Sequence, residues 1–163
     1  MSVVFTRVDA LASLLADLNN GPAIIGVDGW SGVGKTTLAR NLANAVKGSA
    51  YDIDSALDRD KKSFVPSLRL DEIRTALSSP ARIIFVSGVC LRQVLQGATV
   101  SAVAHIYLKR MASWGWADED ELVEQNNAVA LAEGGGILRQ EMRDYHAEWQ
   151  PHIEADYEFQ RFD

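Results

Sequence analysis

The sequence predicts an α/β domain built on a parallel β-sheet with helices on both faces. Apolar runs alternate with amphipathic segments along most of the chain, and this alternation is typical of strand–helix–strand units. The apolar runs are nearly continuous, which favours strands that are buried on both faces. The 163 residues are enough to enclose such a sheet. No linker, internal repeat or low-complexity tract divides them, so we predict a single domain over residues 1–163.

The predicted elements follow from hydrophobic periodicity and from turn residues. Apolar residues spaced three and four apart predict amphipathic helices, and short apolar runs bounded by turn-forming residues predict strands. The predicted strands cover residues 23–28, 49–54, 82–87, 99–108 and 155–159. The predicted helices cover residues 8–18, 36–46 and 70–77, a segment through 91–95, and two segments that flank the glycines at 134–136.

Composition and charge limit the class of function. The formal net charge of −6 argues against a broad nucleic-acid surface, and no apolar run approaches the length that spans a membrane. The first residues lack the basic start and long apolar core of a signal peptide. Cys90 is the only cysteine, and its place after an apolar run favours a buried packing role. We therefore expect a soluble, cytoplasmic protein that binds neither nucleic acid nor membrane.

One short stretch carries the strongest chemical signal. Residues 29–36 read Gly-Trp-Ser-Gly-Val-Gly-Lys-Thr, which matches the pattern of a glycine, four residues and then Gly-Lys-Ser/Thr. The stretch lies between a predicted strand and a predicted helix, the setting that a phosphate-binding P-loop requires. The predicted nucleotide-binding residues are Gly29, Trp30, Ser31, Gly32, Val33, Gly34, Lys35, Thr36 and Thr37.

The residue types of this loop suit the chemistry of a nucleotide and its metal. The glycines allow positive φ and let the backbone approach an anion without a Cβ in the way. The loop amides and the N-terminus of the following helix converge on the phosphates. Lys35 brings a full positive charge to the β- and γ-phosphates, and the Thr36 hydroxyl is a predicted ligand of Mg²⁺.

Two carboxylates follow the second predicted strand. Asp52 and Asp54 stand at its carboxyl end, and in open α/β sheets ligands bind at this edge. Strand alternation predicts that both side chains lie on one face. They therefore share an edge with the loop and, together with Thr36, are candidate metal ligands. The alternative is that they cap the next helix, through Asp54.

With these residues in view, the chain resembles the small P-loop kinases, most closely the uridine kinase-like branch. The resemblance runs from about residue 24 to 156 and is sharpest at residues 26–39 and 52–54. Weaker similarities lie at residues 86–91 and 107–110, and at Tyr145, His146, Pro151, Ala155 and Asp156. The resemblance implies a three-layer P-loop NTPase fold with a five-stranded parallel sheet in the order 2-3-1-4-5. It also implies a small lid around residues 109–121.

The same resemblance implies an activity and the residues that carry it. Such kinases use ATP and Mg²⁺, and they transfer the γ-phosphoryl group to a small hydroxyl compound. An aspartate at the end of the second strand, here Asp52 or Asp54, faces the acceptor hydroxyl as base or orienting group. Arginines of the lid region neutralise charge on the transferred group. The candidates are Arg110, Arg139 and Arg143, and a solvated or salt-bridged side chain is the alternative for each.

Two features depart from the pattern of that branch. Ser87 stands before Gly88, where uridine kinase-like proteins often have an acidic residue, so Mg²⁺ would depend more on Asp52 or Asp54. The lid region carries an acidic run at 118–121 in place of an arginine-rich stretch. The alternative function is therefore a nucleotide-binding regulatory or interaction module with little catalysis. A GTPase ranks below both, because the sequence has neither an Asn-Lys-x-Asp nor an Asp-x-x-Gly motif.

The remaining polar residues have structural and functional interpretations. His105 falls in an apolar run and is predicted to be a core histidine, while His146 and His152 lack metal-ligand spacing. Trp114 and Trp116 are predicted either to stack on a base or to pack the lid against the body. The basic residues assigned to a solvated face, with an anionic acceptor as the alternative ligand, are Lys61, Lys62 and Arg69.

Overall fold

The computed structural model describes residues 2–18, 21–57, 65, 68–78, 80, 82–122 and 136–163. The strands in these ranges are β1 Val3–Phe5, β2 Ala23–Gly29, β3 Ser49–Asp52, β4 Ile83–Ser87, β5 Ala104–Ala112, β6 Gly115–Trp116 and β7 Tyr157–Phe162. The α-helices are α1 Val8–Leu18, α2 Lys35–Val46, α3 Leu70–Leu77, α4 Leu91–Gly97, α5 Gly136–Trp149 and α6 Pro151–Glu154. Two 3-10 turns span Ile53–Ala56 and Glu119–Leu122.

The sheet confirms the predicted parallel α/β architecture and is wider than predicted. Its order is β1-β7-β5-β2-β4-β3, with parallel neighbours throughout, and β6 pairs antiparallel with β5. The five predicted strands are β2, β3, β4, β5 and β7, and they take the order 2-3-1-4-5. The sheet described here has seven strands instead of five, because β1 adds to the edge at β7 and β6 folds back on β5. β1 has three residues, too few for a periodic signal.

The central strands are buried on both faces, which explains their continuous apolar runs. Every residue of β2 is buried. Asp28 of β2 and Tyr107 of β5 contact Tyr145 and His146 of α5, so one face of the sheet is covered by α5. The alternate residues, which point to the opposite face, are at most 1% exposed: Ile25, Val27, Ile106 and Leu108.

Across the described ranges, no helix combines the length and the apolar character needed to cross a membrane.

The second predicted strand, β3, is shorter than predicted. β3 ends at Asp52, and the backbone N–H of Asp54 donates to Asp52 Oδ1 at 3.0 Å at the start of a 3-10 turn. Asp54 therefore does not continue the strand, and the prediction that strand alternation places both carboxylates on one face is wrong. Asp52, and not Asp54, caps the next turn.

The fourth predicted strand, β5, begins later and ends later than predicted. Thr99 N–H donates to Gln96 O and Val100 N–H donates to Leu95 O, so the backbone at residues 99–100 ends α4 instead of joining the sheet. Beyond residue 108 the strand continues because β7 pairs with it as far as Met111↔Phe162. The fifth predicted strand is shifted in the same direction, to Tyr157–Phe162.

The predicted lid at 109–121 begins as a β-hairpin. β5 continues through Ala112 and pairs with β6 at Met111↔Trp116 and Ala112↔Gly115. The 3-10 turn Glu119–Leu122 follows it. The helical segment predicted before the glycines at 134–136 lies outside the described residues.

Candidate functional site

The loop between β2 and α2 has the backbone geometry that its glycines predict. The φ angle is 154° at Gly29, 75° at Gly32 and 104° at Gly34. At Gly29 the requirement is a close approach, because a Cβ would lie 2.7 Å from the carbonyl oxygen of Leu108. At Gly34, the N-cap of α2, the φ angle itself disfavours any residue with a side chain. The shape of the loop therefore depends on glycine.

The loop opens onto a cleft at the carboxyl ends of the central strands. The cleft has a volume of about 340 Å³ and is lined by Ser31, Gly32, Gly34, Lys35, Thr36, Thr37, Asp52, Asp54, Gly88, Val89 and Leu138. The N–H groups in the first turn of α2 have no intrahelical acceptor, and Gly34 offers no side chain to cap them. These donors and the positive end of the helix dipole favour an anion in the cleft.

Trp30 and Val33 anchor the loop through their side chains and can contact a nucleotide only through their backbone. Their side chains are 6% and 1% exposed. The indole of Trp30 packs on His146 of α5, with ring centroids 5.4 Å apart. The loop is therefore fastened to the core on the face that carries α5.

Lys35 is folded back against the loop. Its side chain is 8% exposed and its Nζ donates to the carbonyl oxygen of Trp30 at 2.5 Å. Removal from water lowers the pKa of the Lys35 amine, while the carboxylates of Asp28, Asp54 and Asp52 act in the opposite direction. The positive charge thus rests beside the cleft and within range of three carboxylates.

Thr36 and Asp52 join the two walls of the cleft. Thr36 Oγ1 of α2 donates to Asp52 Oδ2 of β3 at 3.0 Å. The strand register places Asp52 opposite Ser87, which lies opposite Val27 near the start of the loop. The parallel sheet therefore brings the predicted metal-ligating hydroxyl and one predicted carboxylate into direct contact.

Asp54 lies in the 3-10 turn and lines the same cleft. Its carboxylate accepts no hydrogen bond from the part of the chain that the structure describes. Loss of hydration raises the pKa of Asp54, the charge of Asp52 raises it further, and Lys35 opposes the shift. The structure brings Asp52 and Asp54 together but gives them different surroundings.

The residues present fit a magnesium ion that is held mainly through phosphates. Thr36, Asp52 and Asp54 offer oxygen atoms, and Mg²⁺ is usually bound by one or two carboxylates together with substrate phosphates and water. Among the described residues, no cluster of three or more His, Cys, Asp or Glu side chains could hold a metal alone. Ser87 is 1% exposed and carries no charge. The protein's negative charge toward a metal would therefore come from Asp52 and Asp54.

The arginines predicted to neutralise the phosphates are held by acidic residues. Arg110 Nη2 lies 2.8 Å from Asp118 Oδ1. Arg139 pairs with the Glu121 carboxylate, and Arg143 Nε donates to the Glu121 carbonyl oxygen at 2.8 Å. None of the three arginines lines the cleft. The catalytic assignment of Arg110 and Arg143 stays a prediction, and the salt-bridged alternative describes their present contacts.

Of the histidines and tryptophans considered above, His146 and Trp116 pack against the core, and Trp114 is exposed. His146 is 4% exposed and hydrogen bonds to Tyr107 through Nε2, while burial lowers its pKa to about 4. Trp116 packs edge-on against Tyr107, with ring centroids 5.8 Å apart, so it joins the hairpin to the body. Trp114 is 80% exposed, so it does not join the hairpin to the body as Trp116 does.

The structure also tests the predictions that Cys90 is buried and that Arg69 belongs to a solvated face. Cys90 is 1% exposed, as predicted, and burial raises the pKa of its thiol. Arg69 is exposed and pairs with Glu72 at 3.0 Å, which fits the solvated face. Lys61 and Lys62 lie outside the described residues.

Sequence reasoning missed a buried acid behind the loop. Asp28 is 2% exposed and accepts hydrogen bonds from the Gly29 N–H, at 2.8 Å, and from the Tyr145 hydroxyl. Burial raises the pKa of Asp28 to about 6, although Tyr145, Gly29 and Lys35 act in the opposite direction. The sequence did contain a signal for this acid, because Asp28 stands inside an apolar run and a buried carboxylate requires hydrogen-bond partners.

Replacement of Asp28 by asparagine is expected to change how stability depends on pH. Because the folded-state pKa is raised, the folded protein holds this proton more tightly than the unfolded chain does. The contribution of Asp28 to the free energy of unfolding is therefore full below pH 4 and is lost as pH rises through about 6. The free energy of unfolding of Asp28→Asn, taken relative to that of the wild type, should therefore increase by up to about 3 kcal/mol between pH 4 and pH 7. Urea unfolding at both pH values measures this.

The control for this measurement is Asp17→Asn on α1, where the side chain is exposed. Its difference from the wild type should be the same at both pH values. A pH-independent difference for Asp28→Asn would contradict the assignment of a raised pKa.

Sequence reasoning also missed an arginine that braces the loop from the other side. Arg161 of β7 donates from Nη1 to the carbonyl oxygen of Val33 at 2.7 Å. A Cβ at Gly34 would lie 2.9 Å from the same nitrogen. Arg161 is far from the loop in sequence, so no local pattern could link the two. Strand β7 brings them together.

Replacement of Arg161 by glutamine is expected to weaken nucleotide binding by about tenfold, because a hydrogen bond from a charged donor contributes roughly 1.5 kcal/mol or more. Arg82→Gln is the matched control, since Arg82 also donates to a backbone carbonyl, that of Lys47, at 3.2 Å. Calorimetric titration with ATP and magnesium compares the two variants. Equal affinities would show that Arg161 does not support the loop.

Comparison with solved structures supports the fold. The chain is similar to a possible uridine kinase from Bacillus stearothermophilus, with a TM-score of 0.62 and 16% identity over 94% of this chain and 97% of that one. It is also similar to a suggested fructose transport system kinase from Silicibacter sp. TM1040, with a TM-score of 0.53 and 14% identity over 94% and 99%. An uncharacterized protein from Eubacterium ventriosum ATCC 27560 gives a TM-score of 0.50 and 16% identity over 86% and 88%.

A comparison with models of protein families finds no match, and a search of curated protein sequences also finds none. The structural similarities cover nearly the whole chain at low identity. The chain therefore shares its fold, a parallel α/β sheet with the glycine-rich loop between β2 and α2, with these solved structures.

Proposed function

We propose that this protein transfers the γ-phosphoryl group of ATP to a hydroxyl group of a small molecule. The contact between Thr36 Oγ1 and Asp52 Oδ2, at 3.0 Å, carries the proposal. It joins a phosphate-binding loop to a pair of carboxylates within one cleft. Phosphoryl transfer needs chiefly positioning and charge neutralisation. The contact would serve positioning, and Lys35, which lines the same cleft, would supply positive charge.

On this proposal the phosphate loop binds the nucleotide and Lys35 neutralises its terminal phosphates. Lys35 would leave the Trp30 carbonyl, its present partner, and turn toward the phosphates. Thr36 and Asp52 would hold the magnesium ion, which neutralises phosphate charge when bound. Asp52 suits this task because both of its carboxylate oxygens already point at the helix and turn that frame the cleft.

Asp54 is the better candidate for the acceptor hydroxyl. A general base works best when its pKa lies near the working pH, and the surroundings of Asp54 raise its pKa. Its oxygen atoms also accept no hydrogen bond from the described residues, so they are available to a substrate. The two aspartates would thus divide the tasks that the sequence left open, with Asp52 on the metal and Asp54 on the acceptor.

An acceptor screen tests the proposal. Formation of ADP from ATP and magnesium is measured with nucleosides, sugars and hydroxy acids, each at a saturating concentration. One acceptor class should raise turnover above the background of the protein alone, and Asp54→Asn should abolish that response. Asp71→Asn, at an exposed position of α3, is the matched control. Tight ATP binding with equal turnover for every acceptor would overturn the proposal.

The second candidate is a nucleotide-binding regulatory module with little catalysis. The ion pairs of Arg110 with Asp118 and of Arg139 with Glu121 favour it, because they occupy cations that a transferase would direct at the phosphates. The uncharged Ser87 points the same way. This candidate expects a partner protein to bind differently in the ATP and ADP states while turnover stays at background. Equal partner binding in both states would remove it.

A further inference from the structure

A second cavity lies near the amino end of β5, whereas the phosphate loop follows the carboxyl end of β2. Its volume is about 430 Å³, and it is lined by α4, by the loop that leads into β5, by His105 and by Trp149 of α5. Among the described residues, the two cavities have no lining residue in common. The volume falls within the range of small-molecule sites, which are about 300–1,000 Å³.

Arg92 of α4 supplies this cavity with a positive charge. Its guanidinium forms no ion pair with a carboxylate in the described ranges. One nitrogen, Nη2, donates to the carbonyl oxygen of Glu154 at 2.8 Å. This bond orients the guanidinium, and its other N–H groups have no acceptor among the described residues. The planar arrangement of these donors matches a carboxylate.

His105 adds a neutral hydrogen-bonding group beside Arg92. Its Nδ1 is buried without a partner among the described residues, and it lies 2.7 Å from the position of a Cβ at Gly26. With Nδ1 facing Gly26, the proton is better placed on Nε2, where it can reach an acceptor in the cavity. Burial and the nearby charge of Arg92 lower the pKa of His105 to about 4, although the carboxylate of Asp156, which accepts the His105 backbone N–H at 2.8 Å, acts in the opposite direction. The imidazole therefore adds no second positive charge at neutral pH.

Trp149 gives the cavity a flat apolar wall. Its ring stacks on that of Tyr145, with centroids 6.3 Å apart and planes 30° apart, so its orientation is set by the core. Leu95 and Val100 complete the apolar part of the lining. Arg92 is the only Lys or Arg among the described lining residues, so it supplies the cationic group of a cavity whose lining is part apolar and part polar. The polar part also includes Gln96, Thr99, Ser101 and His105.

We propose that this cavity binds a small planar organic monocarboxylate. The carboxylate accepts hydrogen bonds from Arg92 and from His105 Nε2, and the flat body of the ligand lies along Trp149. This site is independent of the proposed kinase activity, and its test requires no turnover.

Sodium benzoate is the probe for the full-length chain, with benzamide as the uncharged analogue and inorganic phosphate as a non-planar anion. Calorimetric titration should give a dissociation constant in the millimolar range or below for benzoate, and binding of benzamide at least about tenfold weaker. Amide resonances of residues 99–102 and 105 should shift in the nuclear magnetic resonance spectrum. Resonances of the phosphate loop, residues 31–37, should not.

Two variants test the contacts. Arg92→Gln should weaken benzoate binding at least about tenfold, because a charge-assisted pair is lost. Arg40→Gln, at an exposed position of α2, should leave it unchanged. Ser101→Asp should also weaken binding through repulsion, whereas Ser101→Asn should not. Ser101 is exposed, so this pair reports on the cavity even if Arg92→Gln fails to fold.

Four results would overturn the proposal. The first is benzamide binding as tightly as benzoate. The second is benzoate affinity that neither Arg92→Gln nor Ser101→Asp changes. The third is spectral change confined to the phosphate loop. Binding of phosphate, and not of benzoate, in an Arg92-dependent manner would likewise exclude a planar ligand.

Discussion

Replacement of Lys35 by methionine is expected to lower phosphoryl transfer by at least about 10²-fold, the loss typical of removing one preorganised charge-stabilising donor. Methionine keeps the apolar stem, so the buried part of the side chain still packs, but the charge beside the cleft is gone. Nucleotide affinity should fall as well, because the remaining protein charges nearest to the phosphates are those of Asp52 and Asp54. Steady-state turnover and calorimetric titration with ATP measure the two effects.

Lys47→Met is the matched control. Lys47 is exposed at the C-cap of the same helix and has a φ of 58°, so the substitution removes a charge far from the cleft. Its turnover should equal that of the wild type. Full activity in Lys35→Met would show that the cleft does not handle phosphates as proposed.

Replacement of Asp52 by asparagine is expected to raise the magnesium concentration needed for half-maximal turnover by about 10–100-fold, the usual cost of altering a group that supports a metal. Asparagine can still accept the hydrogen bond of the Asp54 N–H, so the 3-10 turn should persist. The contact with Thr36 loses its charge. Magnesium titrations of turnover at saturating ATP provide the measurement.

The comparison with Asp54→Asn separates the two aspartates. In the wild type, turnover should rise with pH as Asp54 loses its proton, at a higher pH than for an ordinary aspartate because burial raises its pKa. Asp54→Asn should lose the acceptor-dependent turnover, and this acid limb with it. The magnesium dependence of its ATP binding, measured by calorimetric titration, should match that of the wild type. If both variants changed the magnesium dependence equally, the division of tasks between the two carboxylates would be wrong.

The architecture could be predicted because its signals are local. The buried strands gave continuous apolar runs, and the glycines at 29, 32 and 34 determined both the position and the backbone geometry of the loop. Strand boundaries were harder, because they depend on partners. β5 is extended by pairing with β7 and β6, and Asp52 ends β3 by binding the N–H of Asp54. Neither effect is visible in hydrophobic periodicity.

The candidate site could be predicted only where its residues are close to the motif or to a strand end. Lys35, Thr36, Asp52 and Asp54 all line the cleft. Arg161 reaches the loop through the far strand β7, and Asp28 acquires its second partner from Tyr145 of α5. Such contacts join distant parts of the chain, and a single sequence holds no pairwise signal for them.

The position of β7 links the beginning of the chain to the phosphate site. β7 lies between β5 and β1, and Val3–Phe5 supply its outer hydrogen-bonded neighbour. Without β1, β7 would become an open sheet edge with unpaired backbone groups, and the strand that carries Arg161 would be less firmly held. Nucleotide affinity would then depend on three residues of β1 that lie on the far side of β7 from the site.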